Sequence, residues 1–317
     1  MKTIAVTGIT GKSGQYLMRR MMRDAAQLRD YRFLLICRSR PEAVPESAGY
    51  RLVSELLRSE VSAELVEADA SDPEAMRELF RHRSVDLLLH IAGVTLSGSV
   101  VPAAMAEGVN DFILVHTTGI YSRYKAAGEA YRRTEAAISA LAAGYRDREI
   151  AVTIVRPTMV YGDLQDKNVS TFIRMVDRLR IFPTVNGARY DLQPVWCRDL
   201  GEALLDILLR WSVTRGREYI LSGGAPLKLI DMFRVIAAQL GVKNRFVSCP
   251  FPIAYAGAWA VYLLTLGRMD YREKVQRLVE PRAFPHDAAT HDFGFAPVAF
   301  EVGVRDEIRM YLEANRR

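Results

Sequence analysis

Three groups of residues in this chain have the types and spacing that chemistry requires. The first is Thr7-Gly8-Ile9-Thr10-Gly11-Lys12-Ser13-Gly14, a Gly-x-x-Gly-x-x-Gly run. It follows the apolar, strand-type run Thr3-Ile4-Ala5-Val6 and opens Gln15 to Met22, where apolar residues recur at helical spacing. Glycines there let the backbone turn tightly and approach a ligand, and the first N–H groups of the new helix point at an anion such as a pyrophosphate. A plain β-to-α turn is the weaker alternative for a run in this position. The second group is Arg38-Ser39-Arg40, after the second strand-type run, where an enzyme preferring NAD would place an acidic residue. A guanidinium there suits the 2′-phosphate of NADP, with NAD as the alternative cofactor. The third comprises Asp69, placed to hydrogen-bond an adenine amino group or to cap the following helix, and His90-Ile91-Ala92-Gly93. Ala92 and Gly93 permit a close approach to a cofactor, while His90 reads as a packed strand-end residue.

These groups need a scaffold that brings strand ends together. Arg32 to Cys37, Ala63 to Glu67, Val85 to His90 and Asp111 to His116 are short, largely apolar runs separated by helical patterns. Asp72-Pro73-Glu74 is a helix start by N-cap and N1-proline logic. Strands buried on both faces of a parallel sheet read as continuous apolar runs, and these do. The expected architecture is therefore α/β, a doubly wound parallel sheet (Rossmann) with a smaller C-terminal α+β substrate-binding part. Residues 1–167 form the dinucleotide-binding domain, to which residues 190–222 return. Residues 168–317 mainly build a substrate-binding lid from the segments 172–179, 181–189, 227–240 and 248–279.

Composition bounds the function. With 317 residues, a quarter of them charged, and a net charge of +6, the chain is an ordinary globular one. Its arginines are scattered, which disfavours nucleic-acid binding and favours anionic small molecules. Cys37, Cys197 and Cys249 are far apart and show no metal-binding spacing, so they are expected as reduced core thiols in a cytoplasmic protein, with no metal. The uncharged run Phe251 to Gly267 contains Pro252 and two glycines and is shorter than the ~20 residues of a bilayer span. It is expected as a buried or pocket-lining helix, with interfacial membrane contact as the lesser alternative.

Taken together, Thr7-Gly8-x-x-Gly11-x-x-Gly14, Asp69, the Leu-His-Ile-Ala92-Gly93 strand end, Thr117-Thr118 and Arg156-Pro157-Thr158-Met159-Val160-Tyr161-Gly162 resemble the short-chain dehydrogenase/reductase superfamily. The match is to its extended and atypical branch, the NAD-dependent epimerase/dehydratase-like proteins. Pro194 to Leu200 and Gly294-Phe295-Ala296-Pro297 extend the resemblance over essentially the whole chain. It implies an NAD(P)-dependent oxidoreductase or epimerase/dehydratase-like enzyme, with hydride transfer on a carbonyl or nucleotide-sugar substrate. A homodimer is a further family expectation. It also implies cofactor contacts from Gly8, Thr10, Gly11, Lys12, Ser13, Gly14, Arg38, Asp69, Ala70, Ala92, Gly93, Thr117 and Pro157, with Thr118 near a substrate carbonyl.

The family's Tyr-x-x-x-Lys admits more than one register here. On a helix, such spacing sets both side chains on one face, so the lysine can lower the tyrosine pKa for proton exchange with a substrate oxygen. Tyr121-Ser122-Arg123-Tyr124-Lys125 matches by spelling but lies close behind Thr118. Tyr131-Arg132-Arg133-Thr134-Glu135 is better spaced but has a carboxylate in place of the lysine. If Glu135 is the family's later glutamate, Tyr131 takes the lysine position and Ala127 the tyrosine position. The candidates for catalysis are therefore Thr118, Tyr121, Lys125 and Tyr131. The alternative is a catalytically degenerate NAD(P)-binding sensor or scaffold. In sugar-nucleotide members, basic residues of the lid hold a diphosphate, a role open here to Arg174, Arg178, Arg180 and Arg189, although a solvated helix face explains them as well.

Overall fold

The structure, a computed structural model, describes residues 1–124, 126 and 128–315. A parallel sheet is built from β1 (Lys2–Thr7), β2 (Tyr31–Cys37), β3 (Ala63–Glu67), β4 (Leu87–His90), β5 (Asp111–Val115) and β6 (Ala151–Pro157), closed at one edge by the strand Glu218–Leu221. The order is the edge strand, β6, β5, β4, β1, β2, β3, so the chain reverses direction across the sheet between β1 and β4. Ligands of doubly wound sheets bind at that reversal, beyond the strand C-termini. The strand-type runs read from the sequence are these strands, and Glu218–Leu221 is the return of the later chain to the sheet.

Each sheet face is covered because each strand presents apolar side chains alternately up and down. On one face α1 (Lys12–Arg23) and α2 (Ala48–Leu57) pack with the helix Cys197–Leu209 around Ile4, Val6, Leu35 and Leu89. On the other, α3 (Pro73–Arg81), α4 (Val94–Ala106) and α5 (Gly128–Gly144) cover Ala5, Leu34, Leu88 and Phe112. Asp72 caps α3 as expected, its carboxylate accepting from the backbone of Glu74 and Ala75. A third core around Phe182, Phe233, Trp196 and Ile308 joins the helices Val169–Arg178, Leu229–Leu240 and Phe300–Asn315.

Two expectations are corrected. The helix Phe251–Leu264 forms within the uncharged run but is not buried, since Ala258 is its only buried residue. It is followed by the short helix Arg272–Arg277 and packs against that rather than into a core. Cys37 and Cys197 are buried free thiols, whereas Cys249 is only half-buried, at the end of the two-stranded ribbon formed with Ile181–Val185.

Candidate functional site

The glycine loop leaves β1 and turns into α1 against the end of β4. Gly8 holds φ at +76°, and a Cβ there would lie 2.5 Å from the Ala92 nitrogen. A Cβ on Gly14 would lie 2.1 Å from the Ile9 carbonyl oxygen. These two glycines are demanded by packing. Gly11 meets only the Gly8 oxygen at 3.2 Å and serves as the N-cap of α1, whose first turn has no side-chain cap and no acidic residue. Gly93 sits at φ +94° with open space where a Cβ would be. An uncapped helix N-terminus beside Gly11 and the open Gly93 fits a dinucleotide pyrophosphate by its donors and its room.

Around this cradle the expected residues fall as follows. Lys12 does not stand free: its Nζ pairs with Asp163 at 2.7 Å. Ser13 is buried, and the carbonyl of Thr10 accepts from the Gln15 amide at 3.1 Å. Arg38, exposed just past β2, has no hydrogen bond or ion pair with any described residue, whereas Arg40 pairs with Glu67 at 3.4 Å. Asp69 accepts from the Ser71 N–H and hydroxyl, at 2.9 and 2.8 Å, which hold its carboxyl below the ordinary range. It therefore shapes the turn before α3 and leaves the capping to Asp72. Ala70 lies in that turn, its carbonyl bonded by Ser99.

His90 is fully buried at the end of β4. Burial drives its imidazole down to about 4, so the ring is neutral. Its Nε2 must then donate to the Gly93 carbonyl, at 3.1 Å, while Nδ1 accepts from the Thr7 hydroxyl at 2.7 Å. The histidine thus holds the Ala92-Gly93 turn against β1, a positioning role.

Beyond β5 and β6 opens a cavity of about 270 Å³. Thr117, Thr118, Thr158 and Gln193 line it from the sheet side, and Arg277, Arg282 and Phe284 from the opposite side. Thr118 donates to the Pro157 carbonyl at 3.2 Å, and the Thr117 oxygen accepts from Gly119 N–H at 2.9 Å, which leaves the Thr117 proton for another partner. Arg282 is the cation that sequence reasoning missed: its guanidinium makes no hydrogen bond or ion pair among the described residues, and its Nε is buried. Burial, then the neighbouring Arg277, pull its pKa down to about 10. The Glu280 carboxylate, which also lines the cavity, offsets this only in part, and a guanidinium with a buried, unbonded Nε favours an anion. Arg174, Arg178, Arg180 and Arg189 do not line the cavity. Arg174 instead bonds the hydroxyls of Ser170 and Thr171 on its own helix, and Arg189 the Asn186 carbonyl.

The proton-transfer candidates divide. Tyr121 lies in a 3-10 turn, Thr118–Tyr121, ahead of α5, so the helical face required by the spelling Tyr121 to Lys125 is not formed at its first member. Lys125 itself lies outside the described residues, as does Ala127. The Tyr121 phenol donates to Glu218 at 2.7 Å, and burial with that carboxylate pushes its pKa up to about 12. Tyr131 stands half-buried in the first turn of α5, one turn before Glu135. Glu135 is engaged by the Arg156 guanidinium and by His116 Nδ1 at 2.8 Å. Burial alone would raise this carboxyl, but Arg156 and His116 hold it at about 2.

Comparison with known proteins agrees with this geometry. Residues 4–107 match the model of the NAD dependent epimerase/dehydratase family. A 2-alkyl-3-oxoalkanoate reductase of Stenotrophomonas maltophilia is 24% identical over 240 residues, 68% of this chain and 73% of the relative. The fold superposes on the UDP-glucose 4-epimerase of Thermotoga maritima with a TM-score of 0.68, 17% identity and 99% of each chain covered. It superposes on an NADPH-dependent quinone oxidoreductase of Escherichia coli with a TM-score of 0.65, 16% identity, and 98% and 99% covered. Over residues 4–107, about a third of the chain, the sequence is thus similar to the NAD dependent epimerase/dehydratase family, and the whole chain shares the fold of the solved epimerase and oxidoreductase.

Proposed function

We propose that the chain is an NADP-dependent oxidoreductase acting on the carbonyl of a small anionic substrate, a nucleotide-sugar being one such class. The observation that carries this reading is the pairing of two cationic features along one sheet edge. Arg38, which forms no ion pair with a described residue, follows β2 at the position we assign to a 2′-phosphate, and Arg282, with a buried and unbonded Nε, lines the cavity with Thr117 and Thr118. When bound, the nicotinamide supplies or accepts the hydride. This chain's part is to cradle the pyrophosphate on the N-terminus of α1 and to fix the substrate anion on Arg282 and Arg277. Thr117 offers its free proton to the substrate oxygen. The phenol of Tyr131 is the acid nearest in register to a helical dyad, because the Tyr121 proton is committed to Glu218. The relatives named as reductases and as an NADPH-dependent enzyme support the same reading.

Calorimetric titration with NADPH and with NADH, repeated on Arg38→Ala, tests the cofactor assignment. Arg38→Ala should weaken NADPH binding by about tenfold or more and leave NADH binding unchanged, since it removes a charge-assisted contact worth roughly 1.5–3 kcal/mol. Equal affinity of the wild type for both would make Arg38 a surface charge and NAD the cofactor.

A second reading has its own support: Tyr121 is bonded to Glu218, and Glu135 stands in an ion pair where the better-spaced register would need a lysine. These favour a dinucleotide-binding sensor without hydride transfer. Turnover of any carbonyl substrate that is lost in Tyr131→Phe or Tyr121→Phe removes this reading.

A further inference from the structure

The outward face of the helix Phe251–Leu264 carries no polar side chain. Ile253, Trp259, Leu263 and Leu264 are exposed on it, with only a proline, alanines and a glycine between them. Leu264 is 85% exposed and Leu266, in the turn that follows, 90%. That turn takes positive φ at Leu266 (+51°) and Gly267 (+80°), and the near-complete exposure of Leu264 and Leu266 makes them a projecting tip rather than part of a flat face. A helix apolar all round is normally buried. This one buries a single residue, and at about 21 Å, from 1.5 Å per residue, it is shorter than the hydrocarbon core. No described helix is long and apolar enough to cross a membrane.

Charge marks the ends of this surface. No charged residue occurs from Pro250 to Gly267, after which Arg268, Arg272, Lys274 and Arg277 outweigh Asp270 and Glu273. Arg272 pairs with Asp270 and stacks on Trp259 and Tyr262, at 4.3 and 4.0 Å, which locks the helix to the segment behind it. Arg268 and Lys274 have no carboxylate partner among the described residues. Apolar leucines at a tip, Trp and Tyr rings beside them and unpaired cations next in the chain are the layers of a bilayer interface in order of depth.

We infer that the helix Phe251–Leu264 and its leucine tip dock this protein on an anionic bilayer surface. Leu263, Leu264 and Leu266 enter the acyl boundary, and Arg268 and Lys274 sit at the level of the phosphates. A projecting tip suits a deformable medium, whereas a second copy of the chain would need a matching cavity. The docking segment runs on through Arg277 and Arg282 to the cavity wall, so docking and substrate access belong to one structural unit. The inference is independent of the reaction.

Flotation of the full chain with vesicles of phosphatidylcholine alone, and of phosphatidylcholine mixed with phosphatidylglycerol, tests it. The protein should float with the mixed vesicles, bind neutral ones about tenfold less or weaker still, and show a blue-shifted Trp259 emission on binding. Leu264→Asp with Leu266→Asp, and separately Arg268→Glu with Lys274→Glu, should each abolish flotation while leaving thermal unfolding unchanged, because all four side chains point away from a core. No flotation with mixed vesicles, or equal flotation with both, overturns the inference. So does a dimer in light scattering that the leucine variant converts to monomer, for then a second copy covers the helix.

Discussion

The guanidinium of Arg156 meets both carboxylate oxygens of Glu135, Nη1 to Oε1 at 2.6 Å and Nη2 to Oε2 at 2.8 Å, between strand β6 and helix α5. Its Nε continues to Glu218 on the neighbouring edge strand at 2.6 Å. One buried cation thus ties a helix and two strands together just below the cavity, and its fork geometry selects arginine over lysine. Removing one partner of a buried pair leaves an uncompensated charge. Arg156→Ala should lower unfolding free energy by about 3–5 kcal/mol in urea titration. A loss below about 1 kcal/mol, the scale of a solvated surface pair, would mean that water screens the site.

The three loop glycines should separate by function. Gly14→Ala forces a Cβ to 2.1 Å from the Ile9 carbonyl, an overpacking that should cost about 1–3 kcal/mol of stability. Gly11→Ala meets only the Gly8 oxygen at 3.2 Å and should unfold as the wild type does. It should nevertheless weaken dinucleotide binding, because its methyl group crowds the Gly8 carbonyl at the N-cap of α1 and shifts the loop there. Thermal unfolding with calorimetry on both variants checks the split, and undiminished binding by Gly11→Ala would place the pyrophosphate elsewhere.

Much of this was legible in the sequence because it is local. The apolar runs of β1, β2, β4 and β5, the glycine loop and the Asp72 cap each need only a few neighbouring residues to specify them. The Arg-Pro-x-x-x-Tyr-Gly spelling was visible too, but not that Arg156 would meet Glu135, because that pairing depends on how α5 docks on β6. Arg282 was hidden for the same reason. It follows no motif, and what marks it is a buried Nε without a partner beside a second arginine, which no periodicity reports. The helix Phe251–Leu264 misled in the opposite direction: its composition reads as core, and only the packing leaves it outside.

Glu307 gives a pH dependence of definite sign. It is fully buried, accepts from Gly162 N–H at 3.0 Å, and burial together with the Asp166 carboxylate pushes its pKa up to about 10. In the folded chain it is therefore protonated at neutral pH, whereas the unfolded residue ionises at the ordinary value of 4.5. A raised carboxyl contributes stability that is present below pH 4.5 and lost as pH rises toward 10. Glu307→Gln keeps an acceptor for Gly162 and stays neutral beside Asp166 without that loss. The variant should match the wild type near pH 4.5 and exceed it by about 1–3 kcal/mol near pH 8, in denaturant titrations at both values. A variant less stable than the wild type at pH 8 would show that the carboxyl is ionised and paired.

Arg282 should show the opposed demands of fold and ligand. A guanidinium whose Nε is buried and unbonded, and which Glu280 offsets only in part, weakens the empty protein, so Arg282→Met, which keeps the aliphatic length and drops the charge, should raise unfolding free energy by about 1–3 kcal/mol without ligand. If the cation is held for a substrate anion, the same variant should lose the stabilisation that inorganic pyrophosphate confers once NADPH already fills the glycine loop. Thermal unfolding with NADPH alone, and with NADPH plus pyrophosphate, reads both effects from one protein. A variant less stable without ligand would make Arg282 part of the scaffold. An unchanged response to pyrophosphate would move the anion to another wall of the cavity, with Arg277 the next cation to replace. Gain of stability together with loss of the anion response is the outcome that ties the buried charge to substrate, because no purely structural role moves the two in opposite directions.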